Sequence, residues 1–311
     1  MNMKKRRIEI EGILQKLQEF KNDPRYGDRL YAIEENIRFV EAMKSLPRYV
    51  WWLLTRAPKI DGARLLELTD FPVEEWDVSM HGRLMEVERN KKIKLIKPLV
   101  DKILEFIFKK NRPLTLVNLG AGGMEVDRQV ISELIEKKYD KPIIFIGVDK
   151  SPVTNKIAKE NLNSLGKGIE IFDIEILTKN RLEEIARLNK GIAVILCKNN
   201  IFNLGAEFPP KYFDLVYNSL FKHHLVQSSD KEKLDKIIEE ISKKSLEYDG
   251  YKDWPIMILQ TLAGWNYPNF LNAEIFSNLR FRHKKDLILS SANKGRISFY
   301  KGTGFYLLEY F

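Results

Sequence analysis

From Pro113 onward, short apolar runs alternate with amphipathic stretches, and no other feature of the sequence constrains the fold as much. "LTLVNL" (114–119), "IIFIGVD" (143–149), "IEIFDIEI" (169–176), "IAVILC" (192–197), "FDLVYNSL" (213–220) and "PIMILQTL" (255–262) read as strands. Between them lie helical patterns: "MEVDRQVISELIEKK", "SPVTNKIAKENLNSLG" opened by Ser151 and Pro152, "KNRLEEIARLNKG" stopped by Gly191, and "DKEKLDKIIEEISKKSLEY". Strands that are apolar throughout are buried on both faces, and strand–helix alternation sets them side by side in parallel. The tail "RISFYKGTGFYLLEYF" reads as a hairpin turning at "KGTG".

The first part of the chain has a different texture. In "IEIEGILQKLQEF", Ile10, Ile13, Leu14, Leu17 and Phe20 recur at helical spacing. "DPRYGDRL" is a turn, and "LYAIEENIRFVEAMKSL" is a second helix that ends before Pro47. "YVWWLL" (49–54) is a buried patch or a docking surface. Residues 60–90 are expected to be helical, with Thr69 or Asp70 as cap, and a long helix from about 86 to 110 leads into Pro113. The expected organisation is a helical lid or substrate platform over residues 1–88, followed by an α/β domain over 89–311.

Composition narrows the function classes. A net charge of +9 from 52 basic and 43 acidic residues suggests an anionic partner. The excess is spread along the chain, however, and only "KKRR" (4–7) and "RNKKIKLIK" (89–97) are locally dense, so a mild attraction for nucleic acid is all that follows. The lone Cys197 excludes an internal disulfide and any multi-cysteine metal site. It fits a reducing compartment, so a cytoplasmic location and no metal are expected. No apolar run reaches the ~20 residues a membrane span requires, and the basic start carries no apolar stretch behind it.

The stretch "TLVNLGAGGMEVDRQV" (115–130) joins the first strand to its helix through Gly120, Ala121, Gly122 and Gly123. In open α/β sheets ligands bind at the carboxyl ends of strands, and glycines there let a ligand approach the main chain. A dinucleotide fingerprint would place a third glycine where Glu125 stands. Its carboxylate would meet the helix N-terminus, the place for a phosphate. A phosphate-binding Walker loop also fails, because no Gly-Lys-Ser/Thr follows. The bend suits a ligand without phosphates.

"LVNLGAGG" resembles the first motif of class I S-adenosylmethionine-dependent methyltransferases, whose fold is Rossmann-like. "FIGVDKSP" is similar to that family's second strand, "YFDLVYNSLFKHHL" to its fourth strand and following loop, and the closing hairpin to its sixth and seventh strands. The resemblance spans roughly residues 90 to 311. It implies S-adenosyl-L-methionine as cofactor, cradled by Gly120, Ala121 and Gly122, with its methionine part over Gly120 and Gly122. Asp149, beside Lys150, would accept from the ribose diol, Asn200 from the adenine amine, and Asn218 with Ser219 would line the pocket. His223 or His224 would take a proton from the acceptor, although a histidine there is more often a packed structural residue, the reading favoured for each. Trp265, Asn266 and Tyr267 would wall the acceptor. The implied activity is methyl transfer to a small-molecule acceptor.

The sequence also departs from that pattern. Asn118 stands where an acid is common, Met124 replaces a final glycine, and one strand–helix unit is surplus, so Asp173 rivals Asp149 for the ribose. The cleaner strand and Ser-Pro helix start favour Asp149, with residues 165–190 as an insertion. The rival functions are an RNA methylase using the two basic stretches, a cofactor-binding protein without activity, and a nicotinamide-dependent oxidoreductase, which Glu125 disfavours.

Overall fold

The computed structural model describes residues 3–60, 96–166, 168–222, 225, 228–251, 284–292, 294–300 and 305–310. The helix expected over residues 61–90, the strand at 255–262, residues 265–267, the "KGTG" turn, the histidines 223 and 224, and the division at 88 lie outside them. The described residues fall into two compact units. Residues 3–60 group with 250–251 and 284–286, while 96–249, 287–300 and 305–310 form the other.

In the first unit, α1 (Met3–Asn22) carries the expected apolar stripe, and Asp23 accepts from the Arg25 N–H to open a 3-10 turn (Pro24–Arg29). Helix α2 (Leu30–Ala42) ends four residues earlier than "KSL" implied, and Pro47 lies in the first turn of a new helix, α3 (Leu46–Thr55), where a missing N–H costs nothing. "YVWWLL" is therefore helical and two-sided. Tyr49, Trp52 and Leu53 are buried with Phe39 of α2, and Val50, Trp51 and Leu54 are exposed.

The second unit begins with α4 (Lys97–Lys110), which has Pro98 in its first turn. Strand β1 (Leu114–Leu119), helix α5 (Glu125–Glu136), β2 (Ile143–Val148), α6 (Pro152–Asn163), β3 (Ile169–Ile174), α7 (Lys179–Leu188) and β4 (Ile192–Cys197) follow, close to the expected positions. Ser151 caps α6 by accepting from the Thr154 N–H. Asn189, not Gly191, ends α7: it turns extended, accepts from the Gly191 N–H and donates to the Ile143 carbonyl.

Beyond β5 (Leu215–Ser219) the sequence reading needs one correction. The helix expected over 230–248 is α8 (Ser228–Ile241), and its supposed last turns, "SLEYDG", form strand β6 (Ser245–Gly250). Helix α9 (Lys284–Ser291), which groups with this unit from Leu287 on, and the antiparallel pair β7 (Gly295–Tyr300) and β8 (Phe305–Tyr310) complete it.

The eight strands run in the order β3-β4-β2-β1-β5-β6-β8-β7. Strands β1 to β6 pair in parallel, so the sheet is Rossmann-like with an antiparallel C-terminal hairpin. Because β2 pairs directly with β4, the surplus unit of β3 and α7 is an addition at the sheet edge. Alternate residues of each central strand face opposite cores. Leu114 and Leu116 pack with α4, α5 and α6, and Val117 and Leu119 with α7 and α8. Strand order reverses between β1 and β5, and the crevice outside the carboxyl ends at such a switch is where this architecture receives ligands. Among the described residues no helix is long and apolar enough to cross a membrane.

Candidate functional site

The glycine bend and the carboxylate after β2 meet at that edge. The Gly120 and Ala121 N–H groups donate to the Val148 carbonyl at 2.9 and 3.2 Å, holding the bend against β2. Asp149 is placed by its own N–H, which donates to the Cys197 carbonyl of β4 at 3.0 Å. Its Oδ2 accepts from the Gly122 N–H at 2.8 Å and its Oδ1 from the Ser151 N–H at 2.9 Å. A carboxylate oxygen has two lone pairs, so each retains one for an outside donor. Gly120 and Gly122 adopt φ of +66° and +50°, a region open to glycine at little cost. The rival, Asp173, lies on edge strand β3, 44% exposed, with Lys159 3.9 Å away.

Met124 begins α5 at φ +52°, which a glycine would hold more readily, and the residue is buried. The reason lies across the sheet. Gly147 of β2 leaves room for the thioether, and a Cβ built there would sit 2.6 Å from Met124 Sδ. Asn118 is compensated in a similar way. Its Nδ2 donates to Asp127 Oδ2 of α5 at 2.6 Å, and the Tyr217 hydroxyl of β5 donates to Oδ1 of the same carboxylate. Burial raises the Asp127 pKa to about 6 despite these two donors. Asn118 thus reaches a buried carboxylate nine residues later in the chain. Glu125 is buried at the first position of α5 and paired with Arg128, Nε to Oε2 at 2.9 Å, so the helix N-terminus already faces a carboxylate.

Other expected site residues fare differently. Asn218 of β5 is 1% exposed, and among the described residues neither its Oδ1 nor its Nδ2 has a partner. Asn200 is exposed, and its side-chain oxygen caps a 3-10 turn by accepting from the Phe202 N–H. Its neighbour Asn199 is the buried amide, with Nδ2 unpartnered among the described residues. Lys150 is exposed, and Ser219 is half-buried at the end of β5.

Two residues the sequence reading passed over shape the loop after β5. The Phe221 ring lies on Gly120: a Cβ built on that glycine would stand 2.1 Å from Phe221 Cδ2. Lys222 is buried, with Nζ 2.6 Å from Asp235 of α8 and 2.9 Å from Glu247 of β6. Burial opposes the ammonium, but the two carboxylates more than offset it and hold its pKa above the usual value. Burial likewise pushes Glu247 up, and Lys222 with the Tyr306 and Tyr310 hydroxyls outweighs it, leaving the carboxyl below its usual range.

No protein-family model matches the chain, and no curated protein sequence does. It is similar to solved structures of methyltransferases. Among them are an S-adenosylmethionine-dependent methyltransferase from Aquifex aeolicus (14% identity, 67% of this chain and 88% of that one, TM-score 0.39) and the plantazolicin methyltransferase BamL in complex with a triazolic desmethylPZN analog and SAH (14%, 73% and 76%, 0.42). Another is CrArsM, an arsenic(III) S-adenosylmethionine methyltransferase from Chlamydomonas reinhardtii (15%, TM-score 0.32), where the match covers 63% of this chain and 62% of that one. With every one of these TM-scores below 0.5, the functional reading rests on the chain's own geometry.

Proposed function

We propose that the chain is an S-adenosyl-L-methionine-dependent methyltransferase acting on a small-molecule acceptor. One observation carries the reading: the Gly122 N–H meets the Asp149 carboxylate where a glycine bend and the neighbouring strand end at the switch point. That pairing offers a main-chain cradle and two spare acceptor lone pairs, which suit a ribose diol. The buried Glu125 at the α5 N-terminus repels a pyrophosphate, and this disfavours a dinucleotide. Among the described residues the Asn218 amide has no partner; a buried group left so costs about 1–3 kcal/mol, and a ligand offering both a donor and an acceptor would recover it.

When bound, the cofactor supplies an electrophilic methyl group on a sulfonium. The chain's task is then to align and to exclude water, which converts a bimolecular step into an effectively unimolecular one. Asp149 fixes the sugar, the bend fixes the chain that carries the sulfur, and the apolar side chains about β1 and β5 keep water out. Calorimetric titration with S-adenosylmethionine, S-adenosylhomocysteine and NAD tests the reading. The two sulfur compounds should bind and NAD should not, and binding of NAD alone would assign the site to another chemistry.

A further inference from the structure

At the switch point the α-carbon of Gly120 is covered by a side chain of the chain itself. We propose that Phe221 is a gate on the cofactor hollow: its ring covers Gly120 and swings aside when the sulfur-bearing arm of an S-adenosyl ligand enters. This inference rests on the reading of the site above and adds a means of regulating access to it. Three observations carry it.

The first is position. With Phe221 Cδ2, Cγ and Cε2 at 2.1, 2.3 and 2.8 Å from the Cβ position of Gly120, no ligand atom can reach that part of the main chain while the ring is in place. The glycine leaves its α-carbon open to close approach, and the ring uses that opening.

The second is the hinge. Leu220, immediately before the ring, holds φ at +52°, a left-handed value that crowds the Cβ of any residue but glycine. A small rotation of Leu220 away from that value relieves part of the crowding and compensates in part for the packing the ring gives up as it turns about its own Cα–Cβ bond. Phe221 is only half-buried, packed at the margin of the core formed by β1, β5 and α8, so its departure opens no internal cavity.

The third is the anchoring on either side. The Leu220 N–H donates to the Tyr248 carbonyl of β6 at 2.8 Å, and the Lys222 ammonium is held by Asp235 and Glu247. Movement is therefore confined to the dihedrals between two fixed points, and the ring swings without unfolding the loop.

Calorimetry and stopped-flow binding on the full chain, wild type against Phe221→Ala, test the gate with two ligands. S-adenosylhomocysteine has the arm that displaces the ring, and adenosine lacks it. Removing the ring should tighten S-adenosylhomocysteine by about three- to tenfold, the range for an open conformer populated at a third to a tenth, and should speed association. Adenosine affinity should change by less than roughly twofold, because its sugar and base bind at Asp149, away from the ring. Phe221→Leu, which shortens the cover with little loss of packing, should fall between the two and serves if the alanine variant does not fold. Weaker S-adenosylhomocysteine binding by Phe221→Ala would make the ring a wall of the site, and unchanged binding would make it simple packing; either removes the gate and leaves the site. If neither folded protein binds S-adenosylhomocysteine, the reading of the site falls and the gate with it.

Discussion

Gly122 and Asp149, 27 residues apart, are joined by a 2.8 Å hydrogen bond from the glycine N–H to the carboxylate Oδ2. The bond fixes the height of the carboxylate above the sheet edge, because Gly122 is itself tied to β2 through the Gly120 and Ala121 N–H groups. Two loops from neighbouring strands thereby form one rigid acceptor.

That geometry separates Asp149 from Asp173. Asp149→Ala should weaken S-adenosylhomocysteine at least tenfold, the scale of hydrogen bonds to a charged group, about 1.5–3 kcal/mol. Asp173→Ala, on the exposed edge strand, should leave affinity within roughly twofold. Isothermal titration of the two variants decides, and the reverse order would move the ribose site to β3.

The Lys222 network sets the stability of the β5 loop. Lys222→Met leaves Glu247 buried without its cation and should cost about 3–5 kcal/mol in urea unfolding. Adding Glu247→Gln should recover part of that loss, since the uncompensated charge is then gone. A double variant as unstable as the sum of the singles would show that the pair is not coupled.

Asp127 predicts an unusual pH dependence. Its folded pKa of about 6 lies above the unfolded value near 3.8, so the folded chain binds the extra proton and stability rises as pH falls through 6. Between pH 7.5 and 5.5 the gain should be roughly 1 kcal/mol. Glu247, held against burial below its ordinary 4.5 by Lys222 and the Tyr306 and Tyr310 hydroxyls, keeps its own contribution in this window and loses it only at lower pH. Asp127→Asn should abolish the difference: the Asn118 amide can turn its unpartnered oxygen toward the new donor. Chemical denaturation of both proteins at the two pH values measures it, and a wild type that loses stability relative to Asp127→Asn on acidification would contradict the burial argument.

Met124 and Gly147 should behave as a pair. Gly147→Ala presses a methyl against a buried thioether and should cost about 1–3 kcal/mol. Combined with Met124→Ala, the total should fall short of the sum by more than about 0.5 kcal/mol. Additive losses in thermal or urea unfolding would mean that the two side chains do not compete for the same space.

Much of this architecture is legible in the sequence, and the misses share a cause. Strands β1, β2 and β4 announce themselves because nearly every residue is apolar or small, and the Ser151-Pro152 start of α6 is a local signal. Strand β6 is not legible, because Glu247 is polar on a buried strand and its partners are Lys222, 25 residues earlier, and Tyr306, 59 residues later. A lysine- and glutamate-rich helix runs into it, so periodicity alone extends the helix. Asn118 and Met124 look like flaws in the glycine motif until Asp127, Tyr217 and Gly147 are brought beside them by the fold. Asn199 and Asn200 are alike in sequence and differ in facing: the turn after β4 buries the first amide and uses the second as a cap. Phe221 gave no signal at all, since only the reversal of strand order places it over Gly120.

The central claim is that the hollow between the glycine bend and Asp149 holds a nucleoside without phosphates, and a crystal of the chain soaked with S-adenosylhomocysteine tests it most directly. The account predicts density with the ribose hydroxyls on the Asp149 carboxylate and the sulfur-bearing arm along Gly120 to Gly122. An empty hollow at saturating ligand, or a dinucleotide pyrophosphate seated there in a parallel NAD soak, would contradict it.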